Sequence, residues 1–460
     1  LFAGFATEVD GNEIQYDYIM GNPPFVGARM MEQGGEQKKD IQNIFGNIKD
    51  VQDLDYVTGW FKKAAQLIQN SNIECAFVST NSICQGSQVP ILWNVLLNEL
   101  NVKINFAYQT FKWESESTDK AAVHCVIVGF ANFNRNHKVI FKDSKTKITV
   151  SNISPYLFEG ENTFVTAQKE VLCDVPKMNF GNQPRDGGHF VINEDERNEI
   201  LKKEPDLEKY LHLYIGAEEF IKNKKRWCLW LKNATPAEMR KSKILTQKVE
   251  AVREFRLSSS AKTTNGYAKV PHLFAQITQP DDVDYLIVPR VSSERRYYVP
   301  IGFLNSNSIS SDAVQIIPNA NLFHFGVLTS LVHMAWMRTV AGRLKSDYRY
   351  SKEIVYNTFP WCNPTEVQKA KIEKTAQAIL DARAKYPESS LADLYDETFM
   401  PIELRKAHQA NDRAVMEAYH FDKLSDHASI TLSNHKFDMT ESEIVAELFK
   451  MYEKLTKESK

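Results

Sequence analysis

Features that define several common classes of protein are missing from this chain of 460 residues. No apolar stretch approaches the roughly 20 residues that span a bilayer, and we expect no signal peptide. The eleven histidines show no ligand spacing and the cysteines form no Cys-x-x-Cys pair, so we expect no structural metal, no disulfides and no membrane partner. We expect a cytoplasmic protein with reduced, mostly buried thiols at Cys75, Cys84, Cys125, Cys173, Cys228 and Cys362.

The chain also lacks the overall positive charge that is typical of DNA-binding proteins, because its formal net charge is −2. The basic residues are nevertheless unevenly distributed. Residues 222–262 contain twelve Lys and Arg against three Glu, and residues 338–352 contain five against one Asp. Basic side chains interleaved with Trp, Tyr, Ser and Asn favour a surface that follows phosphates, although a charge run is often only a solvated face. Two such clusters favour double-stranded DNA as a partner.

The most informative motif is Asn22-Pro23-Pro24-Phe25, which follows the apolar run of residues 16–20. Adenine N6 and cytosine N4 are poor nucleophiles because their lone pairs are delocalised into the ring. The Asn22 side-chain oxygen and the Pro23 carbonyl are able to accept the two amine hydrogens and direct the lone pair at a sulfonium methyl. The prolines fix the backbone in advance, and Phe25 offers a face for an extruded base. The alternative is that these residues form only a turn.

Residues 21–28, Gly-Asn-Pro-Pro-Phe-Val-Gly-Ala, resemble motif IV of the amino-methyltransferases that use S-adenosylmethionine. They look like one branch, the MmeI-like type II restriction-modification enzymes, which are single chains with adenine-specific DNA methyltransferase activity. The resemblance implies catalytic roles for Asn22, Pro23, Pro24 and Phe25, with S-adenosylmethionine as the cofactor. It covers nearly the whole chain.

Downstream of the motif, helical spacing and short apolar runs predict the continuation of an α/β sheet. The predicted helices are 55–65 and 88–100, and the predicted strands are 74–82, 102–111 and 121–130. The carboxyl ends of such strands are where open α/β sheets bind ligands. In the resembled family, an aromatic residue of the following loop closes on the flipped base. Phe111 and Trp113 both qualify, and either one taken singly is more often a core residue.

One part of a methyltransferase is not found. The cofactor is held by a Gly-rich turn after the first strand and an acidic residue after the second, yet the motif begins at residue 22 and no Asp-x-Phe-x-Gly-x-Gly pattern occurs. We therefore expect a fragment, the C-terminal part of a Rossmann-like class I methyltransferase sheet, that neither binds the cofactor nor works alone. Its expected partner is the upstream part of the same polypeptide, with the first half of the methyltransferase and possibly a nuclease.

Residues 151–362 have a different character, with short β-like runs between turn residues. The predicted strands are 189–192, 227–231, 285–289, 297–300 and 313–317, and 236–255 is predicted to be helical. Such a mixed α+β insert fits the target-recognition domain that the resemblance implies. Basic residues beside strands are able to reach guanine edges or, more commonly, to grip phosphates. The candidate DNA contacts are Lys224, Lys225, Arg226, Arg253, Arg290, Arg295, Arg296, Arg343, Lys345, Arg349 and Tyr350.

The C-terminal residues are predicted to be helical over 365–386, 398–419 and 441–455, and either prop the recognition domain or simply pack. The expected domains are a partial methyltransferase domain at 1–150, a recognition domain at 151–362 and a helical region at 363–460. The expected function is sequence-specific methylation of adenine N6 in DNA within a restriction-modification enzyme. The alternative is a non-catalytic module that recognises duplex DNA.

Overall fold

The computed structural model describes residues 8–9, 12–13, 16–113, 123–421, 430–432, 435–437 and 439–458. The chain begins with a two-stranded ribbon of β1 (Glu8–Val9) and β2 (Asn12–Glu13). Most of the loop expected at 112–120 lies outside the described residues, as do residues 121 and 122 of the following predicted strand.

A six-stranded sheet forms the N-terminal part of the protein. Its strands are β3 (Tyr18–Gly21), β4 (Glu74–Thr80), β5 (Lys103–Trp113), β6 (Val123–Ala131), β7 (Lys138–Phe141) and β8 (Lys147–Val150), in the spatial order β3-β4-β6-β5-β7-β8. Strand β3 is parallel to β4, and β6 is antiparallel to both β4 and β5. Strands β3, β4 and β5 therefore run in one direction, and their carboxyl ends meet at one edge of the sheet.

Helices cover this sheet, as the apolar periodicity predicts. They are α1 (Glu36–Phe45), α2 (Thr58–Leu67) and α3 (Gln88–Asn94), which continues as a π turn over Val95–Glu99. Phe61 fixes α2 to the sheet, because its ring centroid lies 5.3 Å from that of Phe77 and 5.5 Å from that of Phe130. The prediction of a helix at 55–65 is confirmed from Thr58 onward, whereas Asp55 precedes the helix.

The middle of the chain contains three small sheets. Their strands are β9 (Asn179–Phe180), β10 (Val191–Ile192), β11 (Leu211–Ile215), β12 (Trp227–Leu229), β13 (Tyr285–Pro289), β14 (Val291–Ser292), β15 (Gly302–Leu304), β16 (Ile309–Ser310), β17 (Val314–Pro318), β18 (Gly342–Leu344) and β19 (Asp347–Arg349). They pair in the orders β10-β12-β11-β16, β15-β13-β17-β9 and β14-β19-β18. The predicted strand at 285–289 coincides with β13.

The helices of this middle part are α4 (Glu194–Lys203), α5 (Ala217–Lys222), α6 (Pro236–Lys241), α7 (Lys243–Ser258), α8 (Lys262–Gly266), α9 (Leu322–Leu328) and α10 (Leu331–Val340). The helix predicted at 236–255 is divided in two, because Ser242 is extended and its side chain caps α7 at the amide of Leu245. The strand predicted at 297–300 is wrong. Tyr298 is buried there by a hydrogen bond to Asp412, and the amide of Val299 donates to the sulfur of Met334.

The C-terminal part is helical, as predicted, and packs on the middle part. Its elements are α11 (Glu366–Ala384), α12 (Leu391–Leu394), α13 (Ile402–Ala418), a ribbon of β20 (Ile430–Leu432) and β21 (His435–Phe437), and α14 (Glu441–Glu458). One apolar core joins the two parts, with Trp336 of α10 packed edge-on against Phe449 of α14. Arg338 adds a bidentate ion pair to Glu441. The helices therefore pack on the middle part, which both expectations include.

Three further features concern membrane-spanning helices, metal-ligating residues and cysteines. Among the described residues, no helix is both long and apolar enough to cross a membrane. The same residues bring no three His, Cys, Asp or Glu side chains together in a group fit for a metal ion. All six cysteines are free, and every one except the half-buried Cys173 is buried.

Arg256 is the largest departure from the expected surface charge. It was counted in the basic cluster of residues 222–262, but its side chain is fully buried in α7. All five of its N–H donors are used: Nε donates to the carbonyl of Arg185, Nη1 to those of Tyr267 and Val270, and Nη2 to those of Pro184 and Leu273. Arg256 therefore holds two segments, 184–185 and 267–273, against α7 and is not available to DNA.

We expect Arg256→Lys to lower the free energy of unfolding by roughly 2–5 kcal/mol, because an ammonium has three donors for five buried carbonyls. Urea denaturation measures the change. Arg253→Lys, an exposed arginine of the same helix, is the matched control and should stay within about 0.5 kcal/mol of the wild type. Equal effects of the two substitutions would contradict the structural role of Arg256.

Candidate active site and DNA interface

The Asn22-Pro23-Pro24-Phe25 loop begins directly after β3, at the edge where parallel strands end. Gly21, the last residue of β3, pairs with Phe77 of β4, so the loop stands beside the carboxyl end of β4. Pro23 is buried and Phe25 packs half-buried against the apolar core, whereas Asn22 and Pro24 are exposed. The loop is thus fixed by its buried members and leaves Asn22 accessible to a ligand.

Asp55 holds the far end of this loop. Its Oδ1 accepts a hydrogen bond of 2.7 Å from the amide of Ala28, and its Oδ2 accepts one of 2.5 Å from the hydroxyl of Ser82. The amide of Tyr56 donates to the carbonyl of Val26 at 2.9 Å. Asp55 is itself buried. Asp55 and Tyr56 therefore both hold the loop, and Asp55 also joins it to the segment that follows β4.

The sequence-based interpretation missed Asp55 because it assigned the residue to a helix. The helix starts at Thr58, whose amide and hydroxyl both donate to the Asp55 carbonyl. The Asp55 amide donates to the side chain of Gln88 at 3.0 Å. A carboxylate three residues before a helix start is an available sequence signal, but it usually indicates a cap, and here the partners lie elsewhere in the chain.

The two aromatic candidates lie on β5, at the same edge of the sheet as the loop. Phe111 is half-buried, and its ring stands edge-on to that of Tyr108 at 5.3 Å. Trp113 is 44% exposed. Since β5 is three positions from β3 in the sheet, the two edges of the site are separated by roughly 14 Å. Phe25 and Trp113 thus belong to chain segments three strand positions apart at this edge.

The middle part of the chain approaches the sheet close to this edge. Gly86, with a φ of +62°, donates its amide to the carbonyl of Val340. A Cβ at Gly86 would lie 3.1 Å from the Cα of Gly342, so only glycine permits this approach. Gly342, within the basic cluster of residues 338–352, thus packs the middle part of the chain against the segment after β4.

Several of the candidate DNA contacts are occupied within the protein. The Lys224 ammonium lies 2.7 Å from Glu218, and Arg226 lies 3.0 Å from Glu219. Arg290 donates to the carbonyl of Asp312 and stacks over Phe180, and Arg343 donates to the carbonyl of Ser346 and stacks over Tyr348. Arg253 lies 3.6 Å from Glu250, with both side chains exposed. These cations have local structural partners, although exposed pairs of this kind are weak.

Other candidates have no direct partner. Within the described part of the chain, no ion pair or side-chain hydrogen bond is found for Lys225, Arg295, Arg296, Lys345 or Arg349. Burial lowers the pKa of Arg349, the nearby cations Arg29 and Arg290 lower it further, and the carboxylates of Asp53 and Glu353 oppose this shift. The backbone brings Arg349 close to Arg290, since the amide of the neighbouring Tyr350 donates to the carbonyl of Arg290. Arg29, four residues after Phe25, was not among the expected contacts.

Tyr350 belongs to the core and not to the surface. Its side chain is buried, and its hydroxyl lies 2.8 Å from Nε2 of His333. Burial raises its pKa well above the usual value. The structure therefore removes Tyr350 from the candidate DNA contacts, because a phenol enclosed in this way does not reach a phosphate.

Comparison with known proteins gives consistent matches along the chain. Residues 5–142 match the family description "MmeI, DNA-methyltransferase domain", 159–363 match "MmeI, target recognition domain" and 364–459 match "MmeI, C-terminal domain". The chain is 40% identical over 403 residues to DNA methyltransferase A of Bacillus subtilis (strain 168), which covers 87% of this chain and 45% of that protein.

A solved structure of the type IIL restriction-modification enzyme MmeI in complex with DNA is also similar. It has 46% sequence identity and a TM-score of 0.85, over 96% of this chain and 57% of that one. The chain thus spans about half the length of both relatives. With its α/β methyltransferase part, its mixed recognition part and its helical C-terminal part in this order, the chain belongs to the MmeI family.

Proposed function

We propose that this protein methylates the N6 amine of adenine in duplex DNA, as part of a restriction-modification enzyme. The observation that carries the proposal is the location of Asn22-Pro23-Pro24-Phe25 directly after β3, at the carboxyl edge of the parallel strands. Ligands of open α/β sheets bind at such edges. Membership of the MmeI family, and a relative named DNA methyltransferase A, support methyl transfer to DNA.

The loop supplies what a poorly nucleophilic amine needs. The Asn22 side-chain oxygen and the Pro23 carbonyl accept the two amine hydrogens and keep the nitrogen lone pair free for the methyl group. Phe25 stacks on one face of the flipped base. We assign the opposite face to Trp113 and not Phe111, because Trp113 is exposed while Phe111 is held edge-on by Tyr108.

The methyl donor of the proposed reaction is S-adenosylmethionine. The described residues fit the amine side of such a site and not the cofactor side, since β3 is the edge strand of the described sheet. Tyr18 and Met20 of β3 are 64% and 79% exposed. We propose that further strands of the same polypeptide pair with β3, cover these apolar side chains and bring the cofactor to Asn22. An open apolar edge strand otherwise invites aggregation.

Duplex DNA is the proposed partner, as in the solved MmeI complex. The cations without a direct partner, Lys225, Arg295, Arg296, Lys345 and Arg349, are the proposed phosphate contacts. Lys224, Arg226, Arg253, Arg290 and Arg343 are weaker candidates, because each already has a partner within the protein. The match of residues 159–363 to the target recognition domain supports a DNA-reading role for the middle part of the chain, which carries all of these cations.

Methyl transfer in the full-length protein tests the activity. We expect labelled methyl from S-adenosylmethionine to appear on N6 of adenine after digestion of the DNA to nucleosides and mass spectrometry. Asn22→Ala should lower the single-turnover rate by about 10²–10³-fold, because one of two preorganised acceptors is lost. The exposed Asn98→Ala is the matched control and should be unaffected. Label on cytosine N4 would contradict the proposed substrate.

Salt dependence tests the DNA contacts. We expect Arg349→Ala to weaken duplex binding and to reduce the slope of log K against log[salt] by about 0.9, the value for one lost phosphate contact. Tyr350→Phe, which removes a buried hydroxyl from the neighbouring residue, should leave the slope unchanged. Fluorescence anisotropy at several salt concentrations measures both. An unchanged slope in Arg349→Ala would remove Arg349 from the interface.

The second candidate function is a duplex-recognition module without catalysis by this chain alone. The open edge of β3 favours it, because the described sheet has no cofactor side. Calorimetric titration of S-adenosylmethionine into the 460-residue chain decides between the two. We expect salt-dependent DNA binding without cofactor binding. Cofactor binding that disappears in Asn22→Ala would show instead that the pocket is complete in this chain.

A further inference from the structure

We propose that Asp55 is a positioning residue, which fixes the Asn22–Phe25 loop for methyl transfer by holding Ala28 on one carboxylate oxygen and Ser82 on the other. The inference rests on the proposed function, since it assigns the loop a catalytic role. It concerns a residue outside the motif, three residues ahead of helix α2.

The composition of the loop explains why an outside anchor is needed. Pro23 and Pro24 have no backbone N–H, so neither residue is able to donate a hydrogen bond that would hold the loop. The next available anchors lie beyond Phe25. They are the carbonyl of Val26, which accepts from Tyr56 at 2.9 Å, and the amide of Ala28, which donates to Asp55 at 2.7 Å.

Asp55 also connects the loop to the neighbouring strand. Its second oxygen accepts from the Ser82 hydroxyl at 2.5 Å, and that hydroxyl lies 2.7 Å from the hydroxyl of Thr80, the last residue of β4. The Asp55 amide donates to Gln88 at the start of α3. One buried residue therefore joins the segments that follow β3 and β4, beyond the last ladder pair of Gly21 with Phe77.

The two contacts require acceptor atoms in the right place and not a negative charge. No cation pairs with the Asp55 carboxylate in the part of the chain that the structure describes. An asparagine retains one oxygen for the Ala28 amide, and its NH2 is able to donate to the Ser82 oxygen while the Ser82 hydroxyl turns to Thr80. Asp55→Asn therefore separates positioning from a chemical role of the carboxylate, and Asp55→Ala removes both.

Two measurements on the full-length protein test the proposal. In Asp55→Ala, we expect amide hydrogen exchange at residues 26–28 to rise at least tenfold, while β4 stays protected. We expect the single-turnover methyl transfer rate to fall about 10–100-fold, the usual loss when a supporting contact is removed, with the Kd for duplex DNA within about twofold. In Asp55→Asn, the exchange and the rate should both stay within about threefold of the wild type.

Other outcomes overturn the proposal. An Asp55→Asn protein that is as slow as Asp55→Ala, with the loop still protected, would mean that the carboxylate acts in the chemistry. Unchanged exchange and rate in Asp55→Ala would mean that the contacts do not matter.

If Asp55→Ala does not fold, Ser82→Ala replaces it. We then expect a two- to tenfold slower rate at an unchanged Kd, and a wild-type rate contradicts the proposal. The exchange measurement needs no methyl transfer, so it remains decisive for positioning even if adenine proves to be the wrong substrate.

Discussion

The candidate site depends on the joint between the ends of two parallel strands. Strand β3 delivers Asn22 and strand β4 delivers Ser82, and the Asp55 carboxylate lies between the segments that follow them. Parallel neighbours have no tight turn between their carboxyl ends, because each continues into its own crossover. Beyond the last ladder pair, the segments that follow the two strands are therefore joined by side chains. The two prolines make the motif rigid, but a rigid motif positions Asn22 only if both ends of the loop are held in place.

The loops of the recognition part are also held in place by a side chain, in this case a buried arginine. The strands of this part contain two to five residues, so backbone ladders contribute little to holding its loops. Arg256 holds these loops instead, because its side chain donates to five carbonyls within residues 184–185 and 267–273. A guanidinium suits this position because its donors lie in a fixed plane and point in different directions. The cost of burying the charge is offset by complete hydrogen bonding.

Local sequence patterns predicted most helices and strands. They failed where the conformation or burial of a residue depends on a partner that is distant in the sequence. The strand at 285–289 coincides with β13 because all five residues are buried in a sheet. The expected strand at 297–300 has the same apolar character, but Tyr298 is buried through Asp412, far away in the sequence. Asp55, Arg256 and Tyr350 were misassigned for the same reason. A short stretch of sequence shows the type of each residue and its spacing. The role of these three residues depends on contacts with other segments of the chain.

The charged side chains fall into two groups: those that pair within the protein, and those that have no direct partner and are available to a ligand. A net charge of −2 does not oppose DNA binding, because charges beyond about 10 Å are screened at 0.1 M salt. Pairs such as Lys224 with Glu218 contribute little net positive potential. The group of Arg349, Arg29 and Arg290 is different, because burial and the two neighbouring arginines lower the pKa of Arg349, while the carboxylates of Asp53 and Glu353 raise it and oppose this effect. Three arginines close together with no direct ion pair at Arg349 form a local positive charge, and a phosphate placed between the loop and the recognition part would reduce their repulsion.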